Sequence, residues 1–169
     1  MITALDLAHA LVYLYSDTDY VTNMKLNKLV YLAYARALHN GDKIFNDEIQ
    51  AWQYGPVIPN VYQYYKDAGS CALNKSLVRE KPSSEALGYA RDIWSDFGEF
   101  GAWDLMQISH REDSAWSKSY TGVRNVIISD DDILSSSDGF KPELENSFAT
   151  ASKKAFDSLD SVLKMLADS

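Results

Sequence analysis

Residues 24–66 have the sequence MKLNKLVYLAYARALHNGDKIFNDEIQAWQYGPVIPNVYQYYK, and this stretch decides the fold. From Leu26 onward, apolar or small side chains recur at i, i+3, i+4, i+7 and i+11, the spacing of one face of an amphipathic helix. The members of this stripe are Leu26, Leu29, Val30, Ala33 and Ala37. The polar residues that lie largely off the stripe are Lys25, Lys28, Arg36 and Asn40. Gly41 is well placed just after the helix, because glycine takes the positive φ common there without strain.

A dense aromatic cluster follows this helix and is built around a forced turn. Trp52 and Tyr54 come before Gly55 and Pro56. A proline pushes the preceding residue out of the helical region, so the chain must break there. Pro59 suits the first turn of a new helix, where a missing N–H costs nothing. The apolar side of that new helix comprises Val61, Tyr62 and Tyr65.

Composition and charge narrow the class of protein. The chain has 169 residues, 46% of them hydrophobic, which suits one compact globular domain. A net charge of −8, with lysines and arginines mostly scattered singly, counts against nucleic-acid binding, because phosphate backbones repel an acidic surface. The single cysteine, Cys71, excludes an internal disulfide and a cysteine-based zinc site. No apolar run is long enough to span a membrane and no signal peptide is recognisable, so we expect a cytoplasmic protein.

The other segments are mostly helical in pattern. Capping residues predict helix starts at Thr3, at Thr22 or Asn23, at Ser83 or Ser84, and at Ser129. Thr3 with Asp6, and Ser129 with Asp132, have the spacing of a capping box. The strand candidates are residues 48–54 and 126–128, which have to pair across the fold. We therefore predict a mainly α (α+β) fold, a compact helical domain with a minor short-stranded β element.

A C-terminal amphipathic helix is predicted as an extension of this domain. Residues 135–139 have a linker-like composition, and one apolar stripe then continues towards the end of the chain. Its members are Leu144, Phe148, Ala151, Ala155, Leu159, Val162 and Leu166. We divide the chain into a domain of residues 1–138 and a helical extension of residues 139–169. Because a lone helix gains little in water, the extension is expected to pack on the domain or on a partner.

No pattern of residues argues for catalysis, for a metal site or for a cofactor. His110-Arg111-Glu112 fits the H-x-E motif of zinc deaminases, but the P-C-x-x-C motif that completes such a site is missing. The chain also has no G-x-S-x-G, P-loop or G-x-G-x-x-G motif. We therefore predict that the protein is not an enzyme.

The chain resembles a known family in four blocks of sequence. They are MKLNKLVYLAYARALHNG, FNDEIQAWQYGPVIPNVYQYYK, ISHREDSAW and VIISDDDI. In this order they are similar to the Panacea domain, also called the SocA-like antitoxin domain, and the resemblance covers roughly residues 2–136. The positions that match the family pattern are Lys25, Leu26, Lys28, Leu29, Tyr31, Ala33, Ala51, Trp52, Gly55, Pro56, Val57, Pro59, Val61, Tyr62, His110, Glu112 and Trp116.

The resemblance implies a function in a bacterial or phage toxin–antitoxin system. Members of the family are antitoxins that neutralise a cognate protein toxin by direct protein–protein binding, without a cofactor. One type works as an adaptor that delivers the toxin to a Clp-type protease, and this alternative stays open. An autoregulatory DNA-binding repressor is a further alternative, which the net charge of −8 disfavours.

Two groups of residues are candidates for the functional site. The candidate partner-binding residues are Trp52, Tyr54, Gly55, Pro56, Val57, Pro59, Tyr62 and Tyr65. Trp and Tyr often dominate binding energy, but they also fill cores; we expect Trp52 in the core, and both roles stay open for Tyr54 and Tyr62. The second group comprises His110, Glu112 and Trp116. We expect these three to form a buried polar network that fixes the fold, with a groove-facing role as the alternative.

Overall fold

The computed structural model describes residues 1–142 of the chain. The helices of this part are α1 (Ala4–Tyr15), α2 (Asn23–His39), α3 (Pro59–Tyr65), α4 (Ser84–Phe97), α5 (Ala102–Ser109), α6 (Ala115–Ser119) and α7 (Asp130–Leu134). The strands are β1 (Gln50–Trp52), β2 (Gly55–Val57) and β3 (Val126–Ile127). The predicted mainly α fold with a minor β element is confirmed. The apolar stripe predicted from Leu144 onward lies outside the described residues. No helix within residues 1–142 has the length and apolarity that crossing a membrane requires.

Helix α2 lies at the centre of the fold. Its start is capped by Thr22, whose hydroxyl accepts a hydrogen bond from the backbone N–H of Lys25 at 3.2 Å, and Gly41 follows its end with a φ of +85°. Helices α1, α4, α5 and α7 and strand β2 all pack against it. The sequence predicted Lys25 and Lys28 off the buried stripe, but they are only 5% and 1% exposed. A helix surrounded on every side has no solvent face, so the single stripe underestimates its burial.

The start of α1 is tied to the start of α4. Thr3 caps α1 as predicted, because its hydroxyl accepts from the N–H of Asp6 at 3.0 Å. The carboxylate of Asp6 does not return to Thr3 to complete a capping box. It accepts instead from the hydroxyl of Ser83 at 2.6 Å, and Ser83 itself caps α4. One carboxylate therefore aligns two neighbouring helices.

The three strands form a small antiparallel sheet in the order β2-β1-β3. Ala51 lies opposite Pro56 on one side and opposite Val126 on the other. Both predicted strand regions are confirmed, and they pair across the fold. The third strand, β2, coincides with the segment expected only as a turn. Pro56 fits there because an edge strand tolerates a residue that lacks an N–H.

The segment that ends the described residues is anchored to α2. Asp138 is fully buried, and its Oδ2 accepts from the Tyr31 hydroxyl at 2.5 Å and from the Ala115 N–H at 2.9 Å. Gly139 has a φ of +87°, and a Cβ there would collide with the backbone nitrogen of Arg36. Residues 135–139, predicted as a linker, are thus partly packed into the domain, because a buried carboxylate holds them.

Candidate functional site

A groove opens between the β1–β2 hairpin, the start of α2, helix α3 and the loop that follows α6. Its volume is about 610 Å³. The aromatic side chains that line it are Trp52, Tyr54, Tyr62 and Tyr120. Its buried floor comprises Asn23, Asn27, Lys28, Ala51 and Val57. The predicted partner-binding residues that meet on this one surface are Trp52, Tyr54, Val57 and Tyr62.

The other predicted partner-binding residues do not line the groove. Gly55 and Pro56 are buried, and Pro59 is the first residue of α3. Tyr65 is 2% exposed and turns towards α1, where its ring meets that of His9 edge-on with centroids 6.0 Å apart. These residues set the path of the chain around the groove, and their side chains do not line it.

Two asparagines of α2 fix α3 and the end of the hairpin. Asn27 Oδ1 accepts a hydrogen bond from the Ile58 N–H at 3.1 Å, and Asn23 Nδ2 donates to the Tyr62 carbonyl at 3.1 Å. Asn27 Nδ2 also donates to Asn23 Oδ1 at 2.9 Å, which joins the two side chains. Buried amides that are hydrogen-bonded hold one arrangement, so these two side chains keep the groove in one shape.

Of the predicted group His110, Glu112 and Trp116, the two ring side chains belong to an aromatic stack and Glu112 does not. The ring of His110 stacks on Trp116 with centroids 3.6 Å apart, and Trp116 stacks on Tyr120 at 4.6 Å. Trp116 Nε1 donates to the Trp52 carbonyl at 2.7 Å, which attaches the stack to the hairpin. Glu112 is exposed, and its carboxylate has no hydrogen-bond partner among residues 1–142. An exposed carboxylate stays in water, so the group is joined by ring stacking instead of a network through Glu112.

Lys28 is one of the groove residues that the sequence did not mark as part of the site. Its Nζ donates one hydrogen bond, to the Pro56 carbonyl at 2.9 Å, and its other N–H groups have no acceptor within the described part of the chain. No carboxylate there offsets its charge, and burial alone lowers the pKa of Lys28 from 10.5 to about 7. The pKa of His110 is lowered by the burial of its own ring and, to a smaller extent, by the charge of Lys28. The sequence gives no sign of this burial, because Lys28 lies off the apolar stripe.

Gly55 makes room for this lysine. It has a φ of +102°, a conformation that other residues rarely adopt. A Cβ there would lie 2.8 Å from Lys28 Cε and 2.6 Å from Ser109 Oγ. The glycine is therefore required twice, by the backbone conformation of the hairpin and by the side chains packed under it.

The charge of the groove is opposite to that of the chain. Among the described residues that line it, Lys28, Lys66 and Arg124 are basic and none is acidic. The whole chain carries a net charge of −8. Lys66 and Arg124 are exposed at the rim, whereas Lys28 is buried. The groove is thus a positive, aromatic-lined surface on an acidic protein.

The residues described contain no group of three or more His, Cys, Asp or Glu side chains that could hold a metal ion. The groove offers one buried amine, aromatic rings, amides and two exposed cations. Such a surface suits the recognition of a ligand that is both apolar and anionic.

Residues 26–117 match the family model described as antitoxin SocA-like, Panacea domain. Because the match covers more than half of the chain, the protein belongs to this antitoxin-like family. No curated protein and no solved structure matches the chain. The matched range runs from α2 to α6 and contains the hairpin, α3 and Lys28. The groove residues of the loop at 120–125 lie beyond it.

Proposed function

We propose that the protein is the antitoxin of a toxin–antitoxin system, and that it neutralises its cognate toxin by direct binding through the groove. The observation that carries the proposal is the meeting of Trp52, Tyr54 and Tyr62 on one concave surface of a SocA-like domain. Large amphipathic rings in such a surface are the residues that most often dominate binding energy.

The groove favours binding because it is held in shape. Trp52 packs edge-on against Tyr62 with ring centroids 4.9 Å apart, and its Nε1 donates to Gln50 Oε1 at 3.0 Å. Binding to a surface whose side chains are already ordered loses less conformational entropy than binding to a mobile one. Tyr54, which is 56% exposed, supplies the apolar area that a partner buries.

The loop at 120–125 supports selectivity for one toxin. It contributes Tyr120, Val123 and Arg124 to the groove, and Val123 is 63% exposed. These residues lie outside the range that matches the family model. A groove built partly from family positions and partly from this loop allows a common fold to distinguish partners.

The test is rescue of growth. The protein is co-expressed with the product of the neighbouring gene, first unaltered, then as the double variant Tyr54→Ala/Tyr62→Ala. Trp103→Ala is the matched control, because Trp103 is 59% exposed and does not line the groove. We expect full rescue by the unaltered chain and by the control, and loss of rescue by the double variant at equal soluble level. Rescue by the double variant, or a neighbour that is not toxic, contradicts the proposal.

The same cells separate steric neutralisation from delivery to a Clp-type protease. Under steric neutralisation the toxin persists at an unchanged level while growth recovers. A toxin level that falls on co-expression, and is restored when the protease is deleted, favours the adaptor function instead. The repressor alternative is disfavoured by the net charge of −8 and is tested by a salt-dependent shift of the promoter DNA.

A further inference from the structure

The floor of the groove contains a buried lysine, and no carboxylate in the described part of the protein pairs with it. Lys28 is 1% exposed, and a single carbonyl, that of Pro56, accepts from its Nζ at 2.9 Å. The neighbouring polar side chains do not offset this charge. The Ser109 hydroxyl donates its hydrogen bond to the Met106 carbonyl, and His110 carries no negative charge. A buried ammonium without a carboxylate is costly, whereas one paired on binding is strongly favoured.

We propose that the groove receives an acidic segment of the toxin, in which a carboxylate pairs with the Lys28 ammonium while a neighbouring apolar side chain packs on the aromatic walls. The inference rests on the proposed function and names the chemistry that the site recognises. Lys66 and Arg124, exposed at the rim, attract such a segment, and the absence of an acidic lining residue in the described groove removes any repulsion there.

The aromatic walls decide what lies beside the carboxylate. Trp52 and Tyr62 are half-buried, and Tyr54 and Tyr120 extend the apolar surface on either side. An extended segment that alternates acidic and large apolar side chains fills such a surface, because its apolar groups are removed from water while its charges meet the cations.

A single-stranded nucleic acid also combines flat rings with negative charge. A strand that extends beyond a groove of about 610 Å³ meets the rest of a chain with a net charge of −8, which repels its phosphates. A peptide, unlike a nucleic acid, need not carry a negative charge at every unit outside the groove. The acidic peptide is therefore favoured, and nucleic-acid binding is one outcome of the test.

The test uses the full chain and two peptide probes. The acidic probe is acetyl-Ser-Glu-Leu-Asp-Phe-Glu-Ser-amide, and the neutral probe has Gln and Asn in place of Glu and Asp. Binding is followed by calorimetry and by amide chemical shifts up to millimolar peptide, at pH 6.5. The variant is Lys28→Met, and Lys25→Met is the matched control, because Lys25 is a buried lysine of the same helix that does not line the groove. Circular dichroism verifies that each variant is folded.

We expect the acidic probe to bind at least tenfold more tightly than the neutral one, with shifts at the hairpin and the 120–125 loop. Lys28→Met should remove this preference and Lys25→Met should keep it. The inference is overturned by equal binding of the two probes, by no binding of the acidic probe, by an unchanged preference in Lys28→Met, or by tighter binding of a thymidine hexanucleotide. If the peptide preference is absent but the unaltered protein rescues growth, only the carboxylate site is refuted. If the unaltered protein does not rescue growth but prefers the acidic peptide, the antitoxin function is refuted and the preference for acidic peptides stands.

Discussion

Replacing Lys28 by methionine should stabilise the free protein. Lys28→Met keeps an unbranched side chain of similar length in the same buried position, but removes its charge. The pKa of Lys28 is lowered from 10.5 to about 7, so the folded state holds this group less readily as an ammonium than the unfolded state does. Each unit of such a shift corresponds to about 1.4 kcal/mol.

The magnitude follows from this pKa and from one hydrogen bond. The lowering of the pKa of Lys28 from 10.5 to about 7 corresponds to about 5 kcal/mol of unfavourable free energy at neutral pH. Methionine no longer donates to the Pro56 carbonyl, and losing that bond costs about 1–3 kcal/mol. The net expectation is a gain of about 2–4 kcal/mol in the free energy of unfolding. For a chain of this size, the melting temperature then rises by about 4–16 °C.

The same lowered pKa predicts the direction in which stability changes with pH. Between pH 7 and the unfolded pKa of 10.5, the unfolded state binds a proton at this lysine that the folded state has released. The free energy of unfolding of the unaltered protein therefore rises with pH in this window, relative to that of Lys28→Met. Below pH 7 both states hold the proton, and the difference between the two proteins is largest and constant.

Urea unfolding at pH 6.5, 8 and 9.5 measures this difference. Lys25→Met is the control, because the Lys25 ammonium lies 4.7 Å from the centre of the Trp94 ring and donates to the Gly98 carbonyl at 2.6 Å. Losing these two contacts should make Lys25→Met gain less than Lys28→Met, or lose stability. If Lys28→Met is less stable than the unaltered chain, or if the difference in stability does not shrink as the pH rises, the buried lysine does not destabilise the fold.

Three further substitutions test the packing around the groove, each by urea unfolding. Gly55→Ala should lower the free energy of unfolding by about 2–4 kcal/mol, because it strains a residue with a φ of +102° and places a Cβ 2.6 Å from Ser109 Oγ. An unchanged urea midpoint would contradict this expectation. Leu29→Ala should cost about 2–5 kcal/mol, because Leu29 is fully buried in α2, and a surface-like loss below about 0.5 kcal/mol would count against it. Asp138→Ala should lower the free energy of unfolding by about 2–4 kcal/mol, because it leaves a buried tyrosine hydroxyl and a backbone N–H unpaired. Full stability of this variant would show that the fold does not depend on the buried carboxylate.

Local signals in the sequence predicted much of the architecture. Thr22 and Gly41 delimit α2 through hydrogen-bonding and backbone conformations that depend on neighbouring residues alone. Pro59 likewise marks the start of α3 without help from the rest of the chain. The aromatic cluster around the β1–β2 turn lies on the surface where the groove opens.

The parts of the site that the sequence did not predict depend on tertiary contacts. The apolar stripe of α2 describes one face, whereas Lys28 is buried by α5 and β2 packing on another. The loop at 120–125 reaches the groove only because β3 pairs with β1. The burial of Asp138 also depends on a tertiary contact. Its serine-rich segment has the composition of a linker, and only the folded structure brings the buried Tyr31 hydroxyl to its carboxylate.

The claim that the groove is the toxin-binding surface is tested most directly by hydrogen–deuterium exchange of the protein, alone and in complex with the toxin. We expect slower exchange on binding in three segments that surround the groove, residues 50–57, 60–66 and 120–125. The segment around Trp103, exposed and away from the groove, should exchange at an unchanged rate. Protection confined to the Trp103 region or to other residues outside the groove, with no change at the hairpin, would show that the toxin binds elsewhere.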